Sequence, residues 1–323
     1  MRVFALSVAL CALPITGASW LATRLGCGGG PDDAFLAYCQ TDKFGDYEHG
    51  AYALGLKPKA VEHVRKAQVL ILGSSRTQFG FSTEAVRTFF HDRGMPHYVF
   101  GFAYGELSPF AEHLIKQEQL RPKVFIINAD PFFGTQMSQP AKDVIKPTPR
   151  VWLNYTLKST LDYVRRICRT ISILCSGRYN SIYRSSEDGH WIWAETFIKK
   201  RPPIKVGPQK QAEFSPGAIE EAKRLATEFV MRTAIDPQCM ILTAAPNIYA
   251  DLDVVARAIA NHIGAPFALP QLEDLDTLDG SHLTLTSAER WSLAVLREAG
   301  PVLDRCLSTS GPGVSEIQPG QPK

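Results

Sequence analysis

The chain is short of net charge. Its 35 Lys and Arg against 32 Asp and Glu leave +3 at pH 7, far below the basic surplus of a nucleic-acid-binding domain. No stretch interleaves basic and aromatic residues. No CxxC pair stands at zinc spacing, and no GxxxxGK loop is present to cradle a phosphate. "GSSRTQFG", residues 73–80, lacks the GxGxxG spacing of a dinucleotide turn, which leaves a nucleotide-binding Rossmann reading weak. These absences argue against nucleic acid as a partner and imply neither a metal nor an organic cofactor.

Long apolar runs are scarce as well. One stands out, from Val3 to about Ala22 in "MRVFALSVALCALPITGASWLATRLG". Its length lies between a signal-peptide core and a short membrane span. Residues 1–30 therefore read as a signal peptide or a membrane anchor, with a buried N-terminal helix as the structural alternative. Either export reading puts the rest of the chain outside the cytoplasm: periplasmic, secreted, or held at the inner membrane by this segment. Arg2 and Arg24 flank the run about equally, so charge barely orients it.

Cysteines are few, seven in all. Setting aside Cys11 in the leader leaves six, an even number in a compartment that permits disulfides. Cys27 and Cys39 are close enough to close a small loop. Cys168 and Cys175 fall on one predicted helix, about 10 Å apart along its axis, too far for a disulfide. For Cys239 and Cys306, buried free thiols and a disulfide are equally good readings.

What is present points to an α/β chain. "QVLILG" (68–73), "HYVFGFA" (97–103) and "KVFIINAD" (123–130) read as strands. Their continuous apolar runs suit parallel strands covered on both faces. "TEAVRTFFHDRG", capped by Ser82, and "ELSPFAEHLIKQEQL" read as the helices between them, so the first half is βαβαβ. Residues 31–57 look irregular. Strand signals vanish from about 135 to 215, which reads as a helical insertion or cap over the sheet edge. Its main helix carries an apolar stripe through Leu153, Leu157, Leu161, Val164, Ile167, Ile171 and Leu174, with Gly177 as a stop. Arg165, Arg166 and Arg169 line a solvated face.

The α/β pattern then resumes. A helix is capped by Ser215 with Pro216 at its first position, and "CMILTAAPN" is a fourth strand. A helix ends at Gly264, and "PFALP" is a short fifth strand. A last helix carries a Thr286–Glu289 capping box and stops at Gly300–Pro301. The expected organisation is one α/β domain over 31–307 with an insertion at 135–215, and a disordered tail over 308–323. The fold class expected is a three-layer α/β/α sandwich with a mostly parallel sheet.

In such a sheet ligands sit beyond the carboxyl ends of the strands. "GSSRT" follows the first strand, "AYGE" the second and "NADPFF" the third. "LDGSHLTLTSAERW" opens the last helix, with Asp279 three residues before His282. A serine hydroxyl is a poor nucleophile until a base takes its proton. A histidine does so when a carboxylate fixes its tautomer. Ser75, His282 and Asp279 are the candidates for those roles, against the bland reading of a turn hydroxyl and a helix-capping loop. His190 in "EDGHW" reads as a surface histidine, and Trp191 and Trp193 as packing, although an aromatic wall also suits a sugar.

Two of these stretches resemble the SGNH/GDSL hydrolase superfamily. "LILGSSRT" is similar to its first block, Gly-Asp-Ser after the first strand. "DGSHLTLTSAERW" is similar to its last block, Asp-x-x-His before the C-terminal helix. The resemblance spans roughly 65–300 apart from the insertion, and implies an SGNH-like, flavodoxin-like sheet. It also implies Ser75 as nucleophile, His282 as base, Asp279 as orienting acid and Gly105 as a backbone donor to the oxyanion. The GSSR form resembles envelope-associated relatives that act in O-acetylation of exported polysaccharides or D-alanylation of teichoic acids.

The chain departs from the family pattern twice. Ser74 stands where the family has aspartate, and "INADPFF" replaces Gly-x-Asn-Asp. Asn128 can lie in the strand and point into the core. Asp130 stands nearer the site, but an ionised carboxylate cannot donate to an oxyanion. Arg76 either takes that role or pairs with Asp130. The implied function is an ester hydrolase or O-acyltransferase working through an acyl-enzyme on an acylated or acyl-accepting glycan. The alternative is a non-catalytic SGNH-like scaffold among envelope-assembly proteins, with the membrane a partner if the leader is retained.

Overall fold

A computed structural model of the protein describes residues 33–39, 47–129, 131–170, 181–193, 202–207, 215–249 and 251–308. Strand β1 (Ala34–Cys39) and helices α1 (Tyr47–Ala53) and α2 (Pro58–Lys66) precede β2 (Val69–Ser74). Helices α3 (Ser75–Phe81) and α4 (Glu84–Asp92) lead into β3 (His97–Phe102), and α5 (Ser108–Gln117) into β4 (Val124–Asn128). Next come α6 (Gln139–Ile145), α7 (Pro149–Thr170), β5 (Ser181–Ser185), β6 (Trp191–Trp193) and β7 (Ile204–Lys205). The chain continues through α8 (Pro216–Thr233), β8 (Met240–Thr243), α9 (Asp253–Ile263), β9 (Asp276–Thr277) and α10 (Leu285–Ser308).

The four apolar runs form one parallel sheet in the order β3-β2-β4-β8. Successive side chains leave opposite faces, so each run feeds two cores. Leu70, Leu72, Phe100 and Ile127 pack under α5, α8 and α9; Ile71, Val99, Ile126 and Ile241 pack under α4 and α10. Burial on both faces is why these strands show no polar alternation. The result is an α/β architecture compatible with three α/β/α layers. The expected fifth strand shrinks to a single parallel bridge, Phe267 beside Leu242.

Several expectations need correction. The segment read as irregular contains β1 and α1, and the insertion read as helical contains strands. β1, β5 and β6 build a separate antiparallel sheet, while β7 pairs with β9. Short strands interrupted by polar residues leave too little periodicity to read. The turn between β5 and β6 covers the free edge of β3: Val99 N–H donates to Asp188 O at 2.8 Å, and the buried Arg184 guanidinium donates to Gly101 O.

On α7 the apolar stripe points outward in its first turns. Leu153 is 60% and Leu157 52% exposed, whereas Tyr155 is 2% exposed. The docked face is set by Tyr155, whose ring lies against Gly50 of α1, and by Asp162, which accepts from Lys57 Nζ at 2.9 Å. The caps also move. Thr83, not Ser82, caps α4, accepting from Val86 N–H at 3.3 Å, because Ser82 already closes α3. Thr284, not Thr286, caps α10, and that helix runs through Pro301 to Ser308. Leu303 and Cys306 are buried beyond the proline, and Cys306 is bonded to Cys239 across 67 residues. Packing and a covalent link hold the turns that a proline would otherwise end.

The Cys27–Cys39 loop, Cys175, Gly177, the stripe beyond residue 170, the three arginine side chains of α7, Asp130 and the leader and tail lie outside the described residues. Among the described residues no helix is long and apolar enough to cross a membrane.

Candidate active site

The site begins where β2 turns into α3. Ser74 is the last strand residue, and its hydroxyl caps α3 by accepting from Arg76 N–H at 3.3 Å. Ser75 is therefore the first helical residue, held at the carboxyl edge of the sheet with an N–H that has no intrahelical acceptor. Gly73 makes the turn possible. Its φ is 149°, and a Cβ there would lie 2.0 Å from Thr77 Oγ1 and 3.2 Å from Asn128 Cβ. Only glycine lets α3 sit this close to the strand ends. The seven-residue α3 is missed in the sequence, where a serine pair after glycine reads as a turn.

The other half comes from the loop between β9 and α10. Gly280 adopts φ 87° and donates to Thr277 Oγ1 at 2.9 Å, folding the chain back on itself. A Cβ there would lie 2.7 Å from Ile248 Cδ1. The turn presents Asp279 and His282 on one side. Asp279 Oδ1 accepts from the backbone N–H groups of Ser281 and His282, both at 2.9 Å. Asp279 Oδ2 lies 2.8 Å from His282 Nδ1. His282 Nε2 lies 2.9 Å from Ser75 Oγ, across 207 residues of sequence.

The electrostatics follow from these contacts. Burial pushes the Asp279 carboxyl up, but the hydrogen bond and charge of His282 and the two backbone N–H groups outweigh it. The carboxyl is held well below the usual carboxylate range. The site stays open to solvent: the side chains of His282 and Asp279 are 21% and 37% exposed. Phe79 of α3 backs the imidazole, ring centroids 4.4 Å apart, and meets Trp193 at 4.5 Å. Trp191 and Trp193 thus join the triad's aromatic backing to the small antiparallel sheet.

The remaining predicted residues fall at the same edge in different states. Arg76 Nε donates to Ser281 Oγ at 2.8 Å, bracing the His282 turn against α3. Gly105 is exposed in the loop after β3, with φ 63°. Asn128 ends β4, fully buried, and its Oδ1 accepts from Ala245 N–H at 3.0 Å. That bond fixes the amide, and Nδ2 has no hydrogen-bond partner. Asp130 lies outside the described residues.

Residues that sequence reasoning missed hold the Gly105 loop. Glu48 and Arg184 are both fully buried and paired, Nε to Oε2 at 3.5 Å. Glu48 Oε1 accepts from Ala103 N–H at 2.8 Å, and Oε2 from Trp191 Nε1 at 3.2 Å. Glu106, at the far end of the loop, accepts from Ser138 N–H at 3.1 Å and contacts His49 Nε2 at 3.2 Å. The only sequence signal was charge in segments that otherwise look irregular.

A second cluster is suited to a metal. His97, Asp188 and His190 each offer a ligand atom within 4.8 Å of the others. His190 is 1% exposed and meets His97, Nε2 to Nε2, at 3.0 Å. It is not a surface histidine, nor does it join the triad. Asp188, directed at Arg87 Nε at 2.6 Å, ties the cluster to α4.

The arrangement can activate a hydroxyl nucleophile: an imidazole nitrogen faces a hydroxyl, and a carboxylate orients the imidazole. No protein-family model, curated protein or solved structure matches the chain.

Proposed function

We propose that the protein is an SGNH-like serine esterase or O-acyltransferase with an acyl-enzyme intermediate. The observation that carries this reading is the continuous Ser75–His282–Asp279 relay, assembled from the start of α3 and a loop 207 residues further on. A scaffold has no need of a half-exposed serine whose hydroxyl faces a carboxylate-oriented imidazole. The sheet order β3-β2-β4-β8 supports the finer assignment. It is the flavodoxin-like order, with Ser75 after the first strand of the parallel sheet, at the switch point where ligands bind.

The steps follow from the contacts. Ser75 Oγ attacks the acyl carbon while its proton passes to His282 Nε2. The imidazolium is supported by Asp279 through Nδ1. The oxyanion draws on the Ser75 N–H, with the Gly105 N–H as a further donor. Collapse breaks the ester C–O bond, and His282 returns the proton to the leaving oxygen. Water or a sugar hydroxyl then gives its proton to His282 and attacks the acyl carbon; collapse breaks the bond to Ser75 Oγ, and His282 Nε2 returns the proton to that oxygen. Partly buried Trp193, packed on the Phe79 ring that backs His282, supports a carbohydrate substrate. The apolar run at residues 3–22 supports an extracytoplasmic setting at the cell envelope.

The test is p-nitrophenyl acetate turnover by the parent, Ser75→Ala and His282→Ala, with intact-mass detection of the acyl adduct and a glycan acceptor in parallel. Turnover and adduct in the parent, both lost in the variants, are expected. A folded parent that shows neither, with or without the acceptor, refutes the proposal.

A further inference from the structure

We propose that His97, His190 and Asp188 form a binding site for a divalent transition metal ion of the zinc type, clamping the β5–β6 turn to the edge of β3. The site is separate from the acyl chemistry. His97 opens β3, whereas Ser75 follows the carboxyl end of β2, which pairs with β3 in parallel. A six-residue strand puts roughly 15 Å or more between the two ends.

The geometry points to a shared ion. Two imidazole nitrogens bound to one tetrahedral zinc at about 2.0–2.1 Å stand roughly 3.3 Å apart. The two Nε2 atoms stand 3.0 Å apart. A carboxylate oxygen of Asp188 lies within 4.8 Å of both rings, so a shift on the order of 1 Å brings it to ligand distance. Two histidines and one carboxylate are a donor set that suits zinc and leaves a fourth position for water.

The surroundings resemble those of a built site. The His97 ring stacks on Phe90, centroids 4.3 Å apart and 15° from parallel, which fixes its orientation. Arg87 of α4 holds Asp188 from behind, as outer partners of ligating carboxylates do. His190 N–H donates to Asp188 Oδ1 at 3.2 Å, so the two residues share one rigid turn. His190 Nδ1 is buried with no hydrogen-bond partner. Its Nε2, facing His97 Nε2, is the nitrogen it offers to the ion. A cleft of about 1100 Å³ reaches His97 and Asp188 from solvent and offers the ion a way in.

A hydrogen-bonded histidine pair beside an Arg–Asp bridge is the competing account, and metal binding separates the two. The full chain, stripped with EDTA, is titrated with ZnCl2 against a chromophoric chelator. One zinc per chain is expected. His97→Gln and Asp188→Asn are expected to weaken it at least tenfold, and His63→Gln, on the same cleft, to leave it unchanged. Cobalt in place of zinc is expected to give the visible bands of a tetrahedral ion, absent in His97→Gln. His97 is partly buried, so its substitution is milder than one at fully buried His190; circular dichroism checks that the variant folds. Zinc bound equally by parent and His97→Gln assigns the metal to other ligands and overturns the proposal, as does a parent that binds none.

Discussion

Asp279→Asn gives the sharpest test of the acyl relay, because the change is nearly isosteric and its effect runs through one proton. Asp279 Oδ1 takes the N–H groups of Ser281 and His282. The asparagine carbonyl can keep both, so the turn survives. What changes is the other arm, 2.8 Å from His282 Nδ1. An amide NH2 donates there, which obliges Nδ1 to be the acceptor and puts the imidazole proton on Nε2. Nε2 then presents N–H to Ser75 Oγ at 2.9 Å, where the mechanism needs a lone pair. In triads of this geometry the wrong tautomer lowers kcat by about 10⁴, or about 5 kcal/mol of barrier. Initial rates on p-nitrophenyl acetate, with active sites counted by acyl burst, read the loss directly. A folded variant within tenfold of the parent would falsify the tautomer argument and leave Asp279 a turn-former only.

Four more outcomes are expected. The depressed Asp279 carboxyl keeps its charge below the pH at which an ordinary carboxylate protonates; the stability that charge gives is complete above that pH and fades as pH falls toward the lowered value. The difference in urea midpoint between parent and Asp279→Asn should therefore shrink below about pH 4, and a difference that stays constant contradicts this. Gly280→Ala forces a side chain into φ 87° and against Ile248, about 1–3 kcal/mol of strain, and displaces His282; kcat falls and the urea midpoint drops with it, and unchanged kcat refutes it. Removing the Cys239–Cys306 link frees a loop of 67 residues, worth about 4 kcal/mol in the chain-entropy account. Urea unfolding of Cys306→Ser measures it, and a loss under about 1 kcal/mol shows that packing of α10 alone suffices. Arg184→Met removes the buried ion-pair partner of Glu48, a loss of about 3–5 kcal/mol. A melt that matches the parent refutes the clamp on the Gly105 loop.

The four parallel strands were legible in the sequence because burial on both faces demands uninterrupted apolar runs, and "VLILG", "YVFGF", "VFIIN" and "MILT" satisfy it. The Asp279–His282 turn was legible because three residues of spacing place a carboxylate and an imidazole on one loop. Helix caps were legible to within a residue or two: Ser82 and Thr286 were reasonable choices, but the hydroxyls that reach the free N–H groups belong to Thr83 and Thr284.

Only the tertiary structure decided the rest, because the deciding contacts join residues with no sequence relation. Ser75 meets His282 because β2 ends at the same sheet edge that the loop before α10 crosses. Glu48 finds Arg184 across 136 residues, which turns two stray charges into a buried brace. Cys239 finds Cys306 because the single 3₁₀ turn Pro237–Cys239, just before β8, packs against the end of α10. His190 reads as a surface residue and His97 as the start of a strand, and they become a paired cluster only when the β5–β6 turn closes over the edge of β3. Local spacing sets what a segment can present; the packing of distant segments sets what each group meets.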